Sequence, residues 1–221
     1  TAYVHDLRPI ERDIVAVQAR WLGMRELENG RHAYLNGPRA IAPELLEHPR
    51  FKERIRVDAR DNAAFAHVEA SAGVVGFELK NSGFTGFSKG GRKTAFASTI
   101  RCHDNALVLA ESAISMLSHA QLFGCETRRF MSLGGQVSQE QITLVRTAME
   151  KLPSGAVILA FDNDDAGRAL TDKFRQAFED VGRSELSLHI ETPGVAGKDW
   201  NDVLRERSLP YAPLPPEPGA G

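Results

Sequence analysis

The chain has 221 residues, 42% of them hydrophobic and 25% charged, with a formal net charge of −2. That length buries a sizeable core in one or two domains, and the composition is ordinary for a globular protein. No apolar run is long enough to span a bilayer and no basic start precedes an apolar h-region, so no membrane partner and a cytoplasmic location are expected. The first residue is Thr1 rather than methionine, as in a piece of a longer polypeptide. Cys102 and Cys125 make neither a zinc spacing nor a disulfide framework and read as reduced thiols.

The small net charge hides an asymmetry. Residues 1–103 carry 16 basic against 12 acidic side chains, and residues 104–221 carry 11 against 17. Lys80, Lys89, Arg92, Lys93 and Arg101 fall in 79–103, which holds no acid. A basic segment beside an acidic one suits a polyanion held near a metal, and equally a solvated loop.

In chain order, Ile14, Val17, Trp21 and Leu22 share one face of a helix expected over 11–28. Gly37, Pro38, Pro43 and Pro49 make 30–50 irregular, apart from a short helix in APELLEH. Strands are predicted at 54–58, 64–69 and 73–79, the last two a hairpin around ASAG. The Gly-rich, basic stretch NSGFTGFSKGGRK follows, and 94–99 makes one more strand. Residues 1–103 thus read as a small basic α+β module.

The pattern changes near Asn105. ALVLA (106–110) is a continuous apolar run, as in a strand covered on both faces. A helix over 112–123 comes next, then a strand over 128–133 that ends in Gly134-Gly135. Ser138 and Gln141 form a capping box that opens a helix through Lys151. Strands at 156–161 and 186–190 alternate with helices at 165–181 and 200–206. Strand–helix four times over predicts a parallel α/β sheet across 104–206, with helices on both faces. Residues 207–221 are a Pro-rich tail or linker.

Ligands of an open parallel sheet gather beyond the carboxyl ends of its strands. Glu111 directly follows ALVLA; Asp162, Asp164 and Asp165 follow AVILAF; Asp199 and Asp202 lie in GKDWNDVL after the fourth strand. Parallel strands bring all three sets to one edge. Mg²⁺ or Mn²⁺ accounts for such a set, because hard cations take carboxylates together with substrate phosphates. Asp162 and Asp164 face one ion if the turn stays extended, with Gly167 loosening it and neither acid needed as a cap. Asp165 suits the start of the next helix. Glu111 has two readings, a carboxylate favoured by a helix dipole or a metal ligand or general acid/base.

LVLAESAISMLSHAQLFG, SLGG, VILAFDNDDAGRAL and GKDWNDVL together resemble the Toprim domain of primases and topoisomerases, and most of all bacterial-type primases and their plasmid or mobile-element relatives. The resemblance covers about 104–206, with the motifs in family order. It implies a Rossmann-like sheet of four parallel strands and an acid set for Mg²⁺-dependent phosphoryl transfer, which falls on Glu111, Asp162 and Asp164. Asp199 either holds a second ion or caps the last helix. GVVGFELK and GFSKGG are similar to segments that line the nucleic-acid and nucleotide path in primases. Residues 1–103 are similar to the uncharacterised module that accompanies Toprim in plasmid mobilisation and primase-like proteins. This implies Lys80, Lys89, Arg92, Lys93 and Lys198 as contacts to phosphates rather than bases. Phe84 and Phe87 stack on bases or anchor their loop, and anchoring is expected. Ser112 stands where the family usually has glycine, and the zinc-binding module that begins such primases is missing from this chain.

The implied reaction is primase-like nucleotidyl transfer on single-stranded DNA from nucleoside triphosphates, in plasmid or mobile-element replication or mobilisation, alongside helicase or relaxase domains. A Toprim nuclease with the same carboxylates is the enzymatic alternative, and a DNA-binding module with a vestigial acidic site the non-catalytic one. Other chemistries find no support. There is no G-x-x-x-x-G-K-[ST] loop and no G-x-S-x-G elbow, and the histidines are scattered. The Asp-x-Asp pair comes too late in the chain for an aspartyl phosphatase.

Overall fold

The computed structural model describes residues 12–208; the tail expected from 207 lies almost wholly outside them. Its strands are β1 (Arg25–Glu26), β2 (Ile55–Val57), β3 (Ala63–Glu69), β4 (Gly73–Asn81), β5 (Phe84–Phe87), β6 (Phe96–Ala97), β7 (Ala106–Ala110), β8 (Arg128–Ser132), β9 (Gly155–Leu159) and β10 (Leu186–Ile190). Its helices are α1 (Ile14–Leu22), α2 (Ala33–Asn36), α3 (Pro43–Glu47), α4 (Ala113–Phe123), α5 (Gln139–Glu150), α6 (Asp165–Val181) and α7 (Trp200–Ser208).

The second half follows the periodicity of the sequence closely. β8, β7, β9 and β10 pair in that order and all in parallel. Successive strand residues point to opposite faces, and in β7 and β9 both faces are covered. Val108, Ala110, Phe130 and Ile158 pack under α4 and α7, while Leu107, Leu109, Met131, Val157 and Leu159 pack under α5 and α6. This explains why ALVLA reads as unbroken apolar sequence. The capping box at the head of α5 is present, with Ser138 Oγ accepting from the Gln141 amide and Gln141 Oε1 from the Ser138 amide.

The first half adds antiparallel strands to the same sheet. β2 and β6 share one edge of β3, β4 takes the other edge, and β5 extends β4. The two residues of β6 form the seam, pairing with β3 on one side and β8 on the other. Three elements differ from expectation. The first helix stops at Leu22, and Arg25–Glu26 pairs with β2 instead of continuing it. His32 caps the short α2 inside the stretch expected to be irregular. FTGF is a strand, β5, held by register with β4 (Lys80 opposite Thr85, Asn81 opposite Phe84). Its glycine, Gly86, masked the alternation that identifies strands.

Among the described residues no helix is long and apolar enough to cross a membrane.

Candidate active site

The chain leaves β7 toward β8 and leaves β9 toward β10, in opposite directions across the sheet. A crevice opens between adjacent strands at such a switch point, outside their carboxyl ends. Glu111 is the first residue past β7, and Asp162 lies just past β9. The first turn of α6 presses against the backbone there. A Cβ at Gly167 would fall well inside contact distance of the Asp162 carbonyl oxygen. Gly167 therefore does not loosen the turn; it admits a close approach that a side chain would block.

Both acids are half-buried, and each keeps one oxygen without a protein partner, Glu111 Oε2 and Asp162 Oδ1. Burial raises the Glu111 carboxyl above its ordinary range, with Asp164 and Asp199 adding to the rise and Lys80 opposing it. Burial pushes Asp162 up to about 7, reinforced by Glu111, Asp199 and Asp164 and opposed by the Ser115 hydroxyl. Four carboxylates thus share one field at the strand ends. An unpartnered buried charge is costly, and a bound cation removes that cost.

The individual acids differ in duty. Asp164 Oδ1 accepts from the Gly167 amide at 2.7 Å and is the N-cap of α6. That corrects the expectation that neither member of the Asp162/Asp164 pair caps the helix; the cap uses one oxygen and leaves the other. Asp165 is fully exposed and pairs with Arg168 one turn on. Asp199 Oδ1 accepts from the Asp202 amide at 2.7 Å, so it caps α7 while its charge still reaches Glu111 and Asp162.

The basic residues also divide. Lys80 on β4 stands near enough to Glu111 to oppose its rise. It lines a pocket of about 250 Å³ with Arg39, Phe84, Ser112, Ile114 and Asp199. Lys93 donates to the Gly134 and Gln136 carbonyls. Arg92 pairs with Glu69 at 2.6 Å, and Lys198 with Glu206. Lys89 lies beside Asp13 and Arg20, and its carbonyl accepts from Arg20. Phe87 anchors its strand, edge-on to His67 at 5.1 Å, whereas Phe84 is largely exposed.

Sequence reading missed Arg39. Its Nε donates to Tyr34 Oη at 2.8 Å and its Nη1 to Asn201 Oδ1 at 3.3 Å, while Asn201 Nδ2 returns a bond to the Arg39 carbonyl. The guanidinium is held at the pocket rim with donors to spare. Partners 162 residues apart leave no local pattern, so no motif pointed to it.

One other group of possible metal ligands occurs among the described residues. His48, Cys125 and Glu126 bring their ligand atoms within 4.8 Å of one another. That set is poorly disposed toward a cation. His48 Nδ1 accepts from the Arg50 amide, which leaves the proton on Nε2, directed at Glu126. Burial also raises the Cys125 thiol, away from the thiolate a metal needs. The acids of the switch point are spread more widely than that set.

Residues 108–204 match the family described as Toprim-like. That segment of the chain is Toprim-like. Ahead of the Toprim segment, residues 33–101 match a family described as a protein of unknown function (DUF3991). Among solved structures, the primase fragment of the bacteriophage T7 primase-helicase protein matches at 17% identity and a TM-score of 0.56, over 84% of this chain and 75% of that one. A chain from the bacteriophage T7 lagging-strand DNA polymerase interacting with primase domains bound to an RNA/DNA hybrid and dTTP matches at 18% identity and a TM-score of 0.52, over 83% of this chain and 92% of that one. No curated protein matches. Over most of its length the chain thus shares a fold with the phage primase fragment.

Proposed function

We propose that the chain catalyses divalent-cation-dependent phosphoryl transfer on nucleic acid, as a primase-like nucleotidyl transferase that joins nucleoside triphosphates on a single-stranded DNA template. The observation that carries this is the pair of unpartnered, half-buried oxygens, Glu111 Oε2 and Asp162 Oδ1, at the switch point, with Lys80 and Arg39 in the pocket lined by Ser112 and Asp199. Asp162 and Asp164 would hold Mg²⁺ or Mn²⁺, with Glu111 as a further ligand and Asp199 adjoining. Such an ion would supply Lewis-acid stabilisation of the charge that develops during phosphoryl transfer.

The chain's own residues do the rest. Glu111, its carboxyl raised by burial and neighbouring charge, would take the proton of the attacking hydroxyl as that oxygen bonds to the α-phosphorus and pyrophosphate leaves. Lys80 and the fixed fork of Arg39 bind the triphosphate from the pocket side, where a planar guanidinium suits two phosphate oxygens at once. Lys89 extends the basic path toward the template. Arg92 and Lys198 are engaged by Glu69 and Glu206, so phosphate would have to displace those carboxylates to reach them. Residues 1–103 act as the nucleic-acid module and 104–206 as the catalytic one, in plasmid or mobile-element replication or mobilisation in the cytoplasm, with helicase or relaxase domains as partners.

The test is labelled nucleoside triphosphates with single-stranded DNA and Mg²⁺, comparing wild type with Asp162→Ala. New oligonucleotides made by the wild type alone support the proposal. Shortened template would assign a nuclease, and DNA retained with no product would assign a binding module.

A further inference from the structure

Lys93 does not present its ammonium to the pocket. Half-buried, it donates to the carbonyls of Gly134 at 2.6 Å and Gln136 at 3.1 Å, so one cation spans the turn after β8. The amides of Gly134 and Gly135 both point at the Glu111 carbonyl, at 2.8 and 3.3 Å. Both glycines have positive φ, +68° and +85°, a conformation that side chains disfavour. The turn is therefore gripped from two directions, by Lys93 through its carbonyls and by Glu111 through its amides.

A second group closes on the same turn. A Cβ on Gly134 would lie 2.5 Å from Glu78 Oε1 and 3.1 Å from Lys93 Cε, so both side chains pack directly on the glycine. Glu78 is buried, with Oε1 3.0 Å from His67 Nε2. His67 Nδ1 accepts from the Thr94 amide at 3.0 Å, which places the ring proton on Nε2 and makes it the donor to Glu78. Gln141 Nε2 ties the Thr94 carbonyl to that of Leu133. A continuous chain of contacts thus runs from β3 (His67) through β4 (Glu78) and the approach to β6 (Lys93, Thr94) to the turn that holds the backbone of Glu111. Neither Lys93 nor Glu78 is required by β-strand pairing, and burying both at a glycine turn without purpose would be costly.

We propose that Lys93 and Glu78 are positioning residues for the acidic site: they set the Gly134-Gly135 turn, and through it the backbone of Glu111, without touching the cation. This rests on the reading of Glu111 as a cation ligand. It also gives the first half of the chain a part in the site other than binding nucleic acid.

The test is Mn²⁺ binding by the full chain without nucleotide, followed by electron paramagnetic resonance, for wild type, Lys93→Met, Lys93→Arg and Glu78→Gln. Lys93→Met is expected to weaken Mn²⁺ binding about tenfold, the low end for residues outside the ligand shell, and to alter the spectrum of the bound ion. Lys93→Arg, which can still donate to two carbonyls, is expected to restore most of the affinity. Glu78→Gln keeps the shape of the side chain and carries the same prediction should Lys93→Met fail to fold. Wild-type affinity and spectrum in Lys93→Met and Glu78→Gln would overturn the positioning role alone. A loss in Lys93→Met that Lys93→Arg does not relieve would also overturn it. A wild-type chain that binds no Mn²⁺ would overturn the proposed function and this role together.

Discussion

Replacing Asp162 by asparagine should make the metal-free protein more stable at pH 8, although it removes a residue from the heart of the site. The Asp162 carboxyl is carried from an ordinary 3.8 to about 7, so between those values the folded chain binds a proton that the unfolded chain has released. Stability therefore falls as pH rises from about 4 to 7 and stays low above 7. The full displacement corresponds to about 4 kcal/mol at 1.36 kcal/mol per pH unit. Water reaches this half-buried group and screens it, which leaves ~1–2 kcal/mol. Asparagine is neutral throughout and should recover that amount at pH 8 and little at pH 4. Urea denaturation at both pH values in the presence of a chelator measures it. Adding Mg²⁺ should reverse the order: at a hundredfold excess over its dissociation constant an ion bound only to the folded state contributes about 2.7 kcal/mol, available to wild type and largely lost in Asp162→Asn. An asparagine variant less stable than wild type at pH 8 without metal would refute the reasoning. So would equal stabilisation of both proteins by Mg²⁺.

Other substitutions separate structure from chemistry. Asp164→Ala removes the N-cap of α6 as well as a proposed cation ligand and should cost about 1 kcal/mol in stability; Asp164→Ser should keep most of that stability in a thermal melt while still losing Mg²⁺ binding. Gly167→Ala drives a methyl into the Asp162 carbonyl and should cost ~1–3 kcal/mol by urea denaturation, in the range of overpacked sites. Asp104→Asn leaves the fully buried Arg50 guanidinium without its carboxylate and should cost roughly 3–5 kcal/mol by the same measurement. Arg39→Lys retains charge but loses the planar fork; it should raise the KM for nucleoside triphosphate several-fold with a smaller change in kcat.

The parallel half was legible because its central strands, β7 and β9, are short apolar runs and its helix starts are spelled out in the sequence, such as Ser138/Gln141. Its acids were legible for the same reason, since a carboxylate just past a buried strand has few other places to be. The capping duty of Asp164 was not, because Asp164 and Asp165 are equally good candidates by spacing and only the close approach at Gly167 decides between them. In the antiparallel half, β5 carries a glycine opposite Leu79 and β1 has two residues, so neither shows a period. Basic side chains were the least legible element. Five of them look alike in sequence, yet one adjoins Glu111, one holds a turn, two are paired with carboxylates and one lies with Asp13 and Arg20. Those fates are set by acids and carbonyls far away in the chain, as is the placement of Arg39 by Asn201.

The location of the ion is the central claim, and it can be mapped on the backbone. Fe²⁺ bound in place of Mg²⁺, with ascorbate and peroxide, generates hydroxyl radicals that cut the chain next to the metal. Cuts clustered near Glu111 and near 162–164, suppressed by excess Mg²⁺, are the predicted result. Cuts at His48 and 125–126 instead, or no cuts that Mg²⁺ suppresses, would contradict the account.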